Sequence, residues 1–125
     1  MLTREQFLSR KPRTIEKVEI PELSDHVFVR SLTGAERDAW EDANLIRKHG
    51  EGKRRLELSF DVRVQNSKAH LVCISLCDES GNRTLQDGDV AAVGDQPAII
   101  VNRIADVCMR ISGLTEQDLE DSVKN

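Results

Sequence analysis

The chain has 125 residues and a formal net charge of −4, with 32% charged and 38% apolar residues, so one soluble domain with a modest core is expected. That acidic balance argues against nucleic-acid binding, which needs a positive footprint for phosphates. No apolar run approaches the ~20 residues of a membrane span, and three scattered cysteines make no disulfide framework.

Residues 1–14 read as a short helix or arm, with Leu2, Phe7 and Leu8 as anchors. They hold no apolar stretch long enough for a secretory signal, so a reducing cytoplasm is expected. Arg4, Arg10, Lys11, Arg13 and Lys17 crowd this end; a charge run of that kind is ordinarily a solvated face. Residues 15–32 predict a β-hairpin. Ile15, Val18 and Ile20 mark one strand, Pro21 stops it, the chain turns near 23–25, and Val27 and Val29 share a face of the second strand. Thr33 with Glu36 three residues on is a capping box, which sets the start of a helix. Ala35, Ala39, Trp40, Ala43 and Ile46 form its predicted apolar stripe, with Glu36, Asp38, Glu41 and Asp42 turned to water.

The stretch 48–55, with Gly50 and Gly52 among basic residues, reads as a flexible linker. Residues 56–77 fit two templates. Leu56, Leu58, Phe60, Val62 and Val64 alternate as a strand would, but the apolar run continues through Leu76. A helix over 59–77 is the preferred reading, with a strand at 56–64 as the alternative. Asp78–Arg83 predicts a turn with positive φ at Gly81-Asn82. A short helix over Asp87–Val93 should break at Gly94, and Pro97 should sit in the first turn of a helix carrying Ile100, Ile104, Val107, Cys108 and Ile111. Gly113 stops that helix, and Thr115 caps a last acidic one. The architecture expected is α+β: one domain in which an N-terminal β-hairpin packs against a mainly α-helical bundle spanning 33–123.

Chemistry is sparse. On one long helix His70, Cys73 and Cys77 would share a face, but zinc needs a fourth ligand, and thiols among Leu71, Val72, Ile74 and Leu76 read as core. Cys108 lies on an apolar stripe, where a thiol is inert. No serine sits in a G-x-S-x-G elbow, and Asp78, Glu79, Asp87 and Asp89 miss the calcium-loop spacing. No catalytic residue, cofactor site or metal site is therefore assigned. What remains is partner binding. Trp40 is a residue type common at interface hot spots, although burial in the core is the more ordinary role. Leu114, Leu119 and Val123 line the apolar side of the acidic C-terminal segment.

Three segments, VFVRSLTGAERDAWE (27–41), LVCISLCDESGNRTLQDGDVAAVGDQPA (71–98) and RIADVCMRISGLTEQDLED (103–121), together resemble the tail assembly chaperones of long-tailed bacteriophages. Their order and spacing carry the resemblance. It implies a non-enzymatic protein of the host bacterial cytoplasm, absent from the mature virion, that binds the tape-measure protein and keeps it soluble. It further implies a homo-oligomer, with the tail-tube protein engaged through a longer frameshifted form; a chain ending at Asn125 matches the shorter form. Cys73, Cys77 and Cys108 depart from the aliphatic or alanine residues expected there. Two alternatives stand beside this reading: a structural tail or head–tail component retained in the virion, and a small metal-dependent binding module.

Overall fold

A computed structural model describes residues 1–46, 62–63 and 66–114. The N-terminal arm carries α1 (Arg4–Leu8), capped reciprocally: Thr3 Oγ1 accepts from the Gln6 amide and Gln6 Oε1 from the Thr3 amide. None of its residues is buried. Leu2, Phe7 and Leu8, expected as anchors, are 59%, 63% and 61% exposed, because the helix stands off the core rather than docking on it.

The hairpin forms as its alternation dictates. Strand β1 (Ile15–Ile20) pairs antiparallel with β2 (Asp25–Arg30) in the register Ile15–Arg30 to Ile20–Asp25. A 3₁₀ turn at Pro21–Leu23 joins them, closed by Ser24 at φ 54°. Val18, Ile20 and Val29 point inward and are buried. A third strand, β5 (Leu76–Cys77), adds to β2 through Phe28–Cys77 and Val29–Leu76, giving the order β1-β2-β5.

Helix α2 (Gly34–Asn44) begins where the capping box places it: the Glu36 amide donates to Thr33 Oγ1 at 3.1 Å and the Thr33 amide to Glu36 Oε1 at 3.0 Å. Its inner face differs from the expected stripe. Trp40 and Asn44 are buried, whereas Ala35, Ala39 and Ala43 are exposed. Glu36 and Glu41 are half-buried, not turned fully to water. The indole supplies most of the apolar area on this helix, so its position fixes which face turns inward. Ile46, counted on the same stripe, lies instead in β3 (Leu45–Ile46), which pairs antiparallel with β4 (Val62–Arg63).

That pairing corrects the preferred helix over 59–77. Residues 62–63 are strand, the helix that follows is α3 (Ser67–Ser75), and Leu76–Cys77 is strand again. The alternative strand at 56–64 and the linker at 48–55 lie outside the described residues apart from 62–63. Nearly all of α3 is buried, including Leu71, Val72, Cys73 and Ile74. A helix covered on every side shows no amphipathic period to read. Next come a 3₁₀ turn at Asp87–Asp89, α4 (Val90–Gly94) and α5 (Ala98–Ile111), with Pro97 as the residue before the first turn. Helix α3 is central, packed against α5, α4 and α2, while α5 also backs the hairpin. The mixed α+β architecture is thus as expected.

The end of α5 is a Schellman motif. Gly113 adopts φ +77°, its amide donates to Arg110 O at 3.2 Å, and the Leu114 amide donates to Met109 O at 2.7 Å. Leu114 folds back into the core at 6% exposure. The last helix expected from Thr115 lies outside the described residues.

Candidate partner-binding surface

Two arginines hold the carboxyl end of α3. Its last turn leaves carbonyls without intrahelical donors, a deficit that the sequence meets with side chains from outside the helix. Arg30, from β2, donates Nε and Nη2 to Ile74 O at 3.2 and 3.0 Å, and Nη1 to Gly81 O at 3.3 Å. Arg83, from the turn after β5, donates Nε to Cys73 O at 2.9 Å and Nη2 to Asp87 at 2.7 Å. The turn itself is wound on Asp78, whose carboxylate accepts from the amides of Ser80 and Asn82. Gly81 takes φ +90° there, as expected of the Gly-Asn pair, while Asn82 does not.

These guanidinium groups face the arm. Arg13 bridges to Glu36 at 3.0 Å, and Arg30 reaches the same carboxylate at 3.6 Å. Arg10, Lys11, Arg13, Arg30 and Arg83 line one surface cavity of about 690 Å³, with Thr33 and Gly81 also in its wall. Among the described residues no carboxylate lines it. Burial, and after it the field of Arg13, pulls the Arg30 guanidinium below its ordinary value; Glu36 opposes that shift. Lys11 is folded back on the end of α1, donating to Phe7 O and Ser9 O, with its ammonium 5.2 Å from the Phe7 ring. Arg10 has neither ion pair nor hydrogen bond among the described residues.

Sequence reasoning flagged Arg10, Lys11 and Arg13 as a solvated charge run and passed over Arg30 and Arg83. An arginine inside a strand whose neighbours alternate inward is the signal that was available, since such a side chain must find partners. The fold brings these five together from three separate segments. Next to them stands the arm, where Leu2, Phe7 and Leu8 are exposed apolar side chains.

The expected site residues fall elsewhere. Trp40 is in the core at 0% exposure, and its indole Nε1 donates to Ser67 O at 2.9 Å, so in this conformation it offers a partner no surface. Leu114 is buried, and Leu119 and Val123 lie outside the described residues. His70, Cys73 and Cys77 do not share one helix face, because α3 ends at Ser75 and places Cys77 on β5. His70 Nδ1 is engaged by Asn44 Nδ2 at 2.6 Å. Burial pushes the Cys73, Cys77 and Cys108 thiols up, which favours inert core packing over thiolate chemistry. Among the described residues no group of three or more His, Cys, Asp or Glu is placed to hold a metal ion. Nor is any described helix long and apolar enough to cross a membrane. No protein-family model, no curated protein and no solved structure matches the chain.

Ion pairs also clasp the hairpin to α5. Arg103 pairs with Glu22 through two bonds of 2.6 and 2.8 Å, and Arg110 pairs with Glu16. The Arg103 hydrogen bonds hold the Glu22 carboxyl at about 2.

Proposed function

We propose that this chain is a non-enzymatic tail assembly chaperone of the long-tailed phage type, which binds the tape-measure protein and keeps it soluble in the host cytoplasm. On this reading the protein self-associates, engages tail-tube subunits through a longer form, and is left out of the finished particle. The resemblance of residues 27–41, 71–98 and 103–121 to that family supplies the reading. The observation that carries it furthest is the arm: α1 is a capped helix with no buried residue, and Phe7 and Leu8 on it, with Leu2 just ahead of its cap, are exposed to solvent. Masking an apolar helical client calls for many modest contacts from such a surface, not a deep pocket.

The test is co-expression of the tagged chain with the long helical protein encoded downstream, followed by pull-down from the soluble fraction. A client that becomes soluble and co-purifies supports the proposal. A client that stays insoluble while this chain elutes alone overturns it. Recovery of the chain from purified particles would favour the structural-component alternative instead.

A further inference from the structure

We infer that the cleft between the amino ends of α3 and α5 is a binding site for a phosphate group. Its space of about 260 Å³ is walled by residues 66–69 at the start of α3, by the link from α4, and by Ala98, Val101 and Asn102 of α5. A helix start leaves amides without intrahelical acceptors, and at α3 the ordinary remedy is missing. Asn66, the residue before the first turn, stands at φ 68° and its side chain makes no cap bond. Its carboxamide lies instead against Gly94, where a Cβ would stand 2.5 Å from Asn66 Oδ1. The first bond of the helix runs from the His70 amide to Asn66 O at 2.9 Å. Among the described residues the Ser67, Lys68 and Ala69 amides have no acceptor. Helix α5 starts the same way: Pro97 precedes it without a side-chain cap, and its bonds begin with the Ile100 amide.

Buried groups in this wall call for a ligand. Ser67 is 7% exposed and lines the cleft, yet its hydroxyl makes no hydrogen bond among the described residues. Ala69 is 2% exposed, so its orphan amide is also withheld from bulk solvent. Buried donors are rarely left without a partner. An oxyanion at the helix start satisfies them together. Lys68, in the same wall and without an ion pair among the described residues, adds a formal positive charge. The dipoles of α3 and α5 both favour negative charge at their starts. Phosphate suits the cleft better than a carboxylate. Donors from two helix ends match a tetrahedral group with three acceptor oxygens, whereas a planar carboxylate offers two. Ala69, Ala98 and Val101 leave one side of the wall apolar, so it accepts either free phosphate or the end of a small phosphate monoester.

Amide-resolved NMR titration of the full chain with inorganic phosphate, at constant ionic strength, tests this. The expected result is saturable shifts of the Ser67, Lys68, Ala69 and Ala98 amides, with acetate binding far more weakly. Shifts centred on Gly81 and Asn82 would place the anion at the arginine-lined cavity and overturn the inference. Shifts that never saturate, or acetate binding as tightly as phosphate, overturn it as well. Ser67→Ala should weaken phosphate binding about tenfold, as expected for losing one hydrogen bond to a charged group. Lys68→Met, at a half-buried position, should weaken it and make it less sensitive to salt. The amide spectrum of each variant reports that it is folded, and unchanged affinity in either one overturns the site. Glycerol 3-phosphate, titrated in parallel, separates the two sources. Binding tighter than that of phosphate assigns the cleft to a monoester, and equal or weaker binding assigns it to the free ion. No readout depends on client solubilisation, so this inference and the assembly proposal fail separately.

Discussion

At the scale of single residues, Trp40 separates a core role from a binding role. Its ring is fully buried and its indole N–H is bonded to Ser67 O across the α2–α3 interface. Trp40→Ala should cost about 3–5 kcal/mol of stability by leaving a cavity, measured by urea unfolding. Trp40→Phe should cost less, since most of the ring volume stays while the hydrogen bond goes. Near-wild-type stability in Trp40→Ala would contradict the buried placement. The same interface holds His70 neutral. Asn44 Nδ2 donates to both Trp40 O and His70 Nδ1, so the ring nitrogen must act as acceptor and its proton sits on Nε2. Burial lowers the His70 pKa from 6.5, with Arg83 also pushing down and Asp87 opposing. The sign follows directly. The unfolded chain takes up this proton first, so the contribution is intact above 6.5 and is lost as pH falls below it. Unfolding midpoints should therefore decline from neutral pH towards about 5, and His70→Gln should flatten that slope. A slope identical in the variant would place the pH dependence elsewhere.

At the scale of elements, the ends of helices were more legible than their faces. The Thr33–Glu36 box, the stop at Gly113 and the hairpin all depend on local chemistry within a few residues, so sequence spacing reveals them. The face of α2 and the length of α3 depend on what packs against them. Exposed Ala39 and buried Asn44 sit on α2 in the reverse of their hydropathy order, because Trp40 sets the rotation and Asn44 finds polar partners at α3. The candidate cavity was hidden for a related reason: Arg13, Arg30 and Arg83 are far apart in the chain and meet only once β2 and the turn flank the end of α3. That cap yields its own prediction. Arg30→Met keeps a comparable apolar stem but removes the donors to Ile74 O and Gly81 O. Stability should fall by roughly 1–3 kcal/mol, the range for losing charge-assisted bonds to partly buried carbonyls. Amides of β5 and the turn should exchange faster with solvent, while those of α5 should change little. Uniform protection across all of these would mean that the guanidinium is not what fastens the turn.

At the scale of the whole molecule, the core and the arm proposed to bind the client are separate parts, and that proposal can be tested. The core runs through α3, α5, the inner face of the hairpin and Trp40. The arm contributes no buried residue to it. Replacing Leu2, Phe7 and Leu8 together by serine should therefore leave the unfolding free energy within about 0.5 kcal/mol of the wild type, as for surface changes that touch no packed feature. The Thr3–Gln6 cap remains in place, so loss of α1 itself is not forced by the change. If the arm is the client-binding surface, the same triple variant should fail to bring the downstream helical protein into the soluble fraction. Equal stability with lost solubilisation would assign that work to the arm. Equal stability with client capture unchanged would move the binding surface off the arm, while a large loss of stability would show that the arm packs on the core in solution.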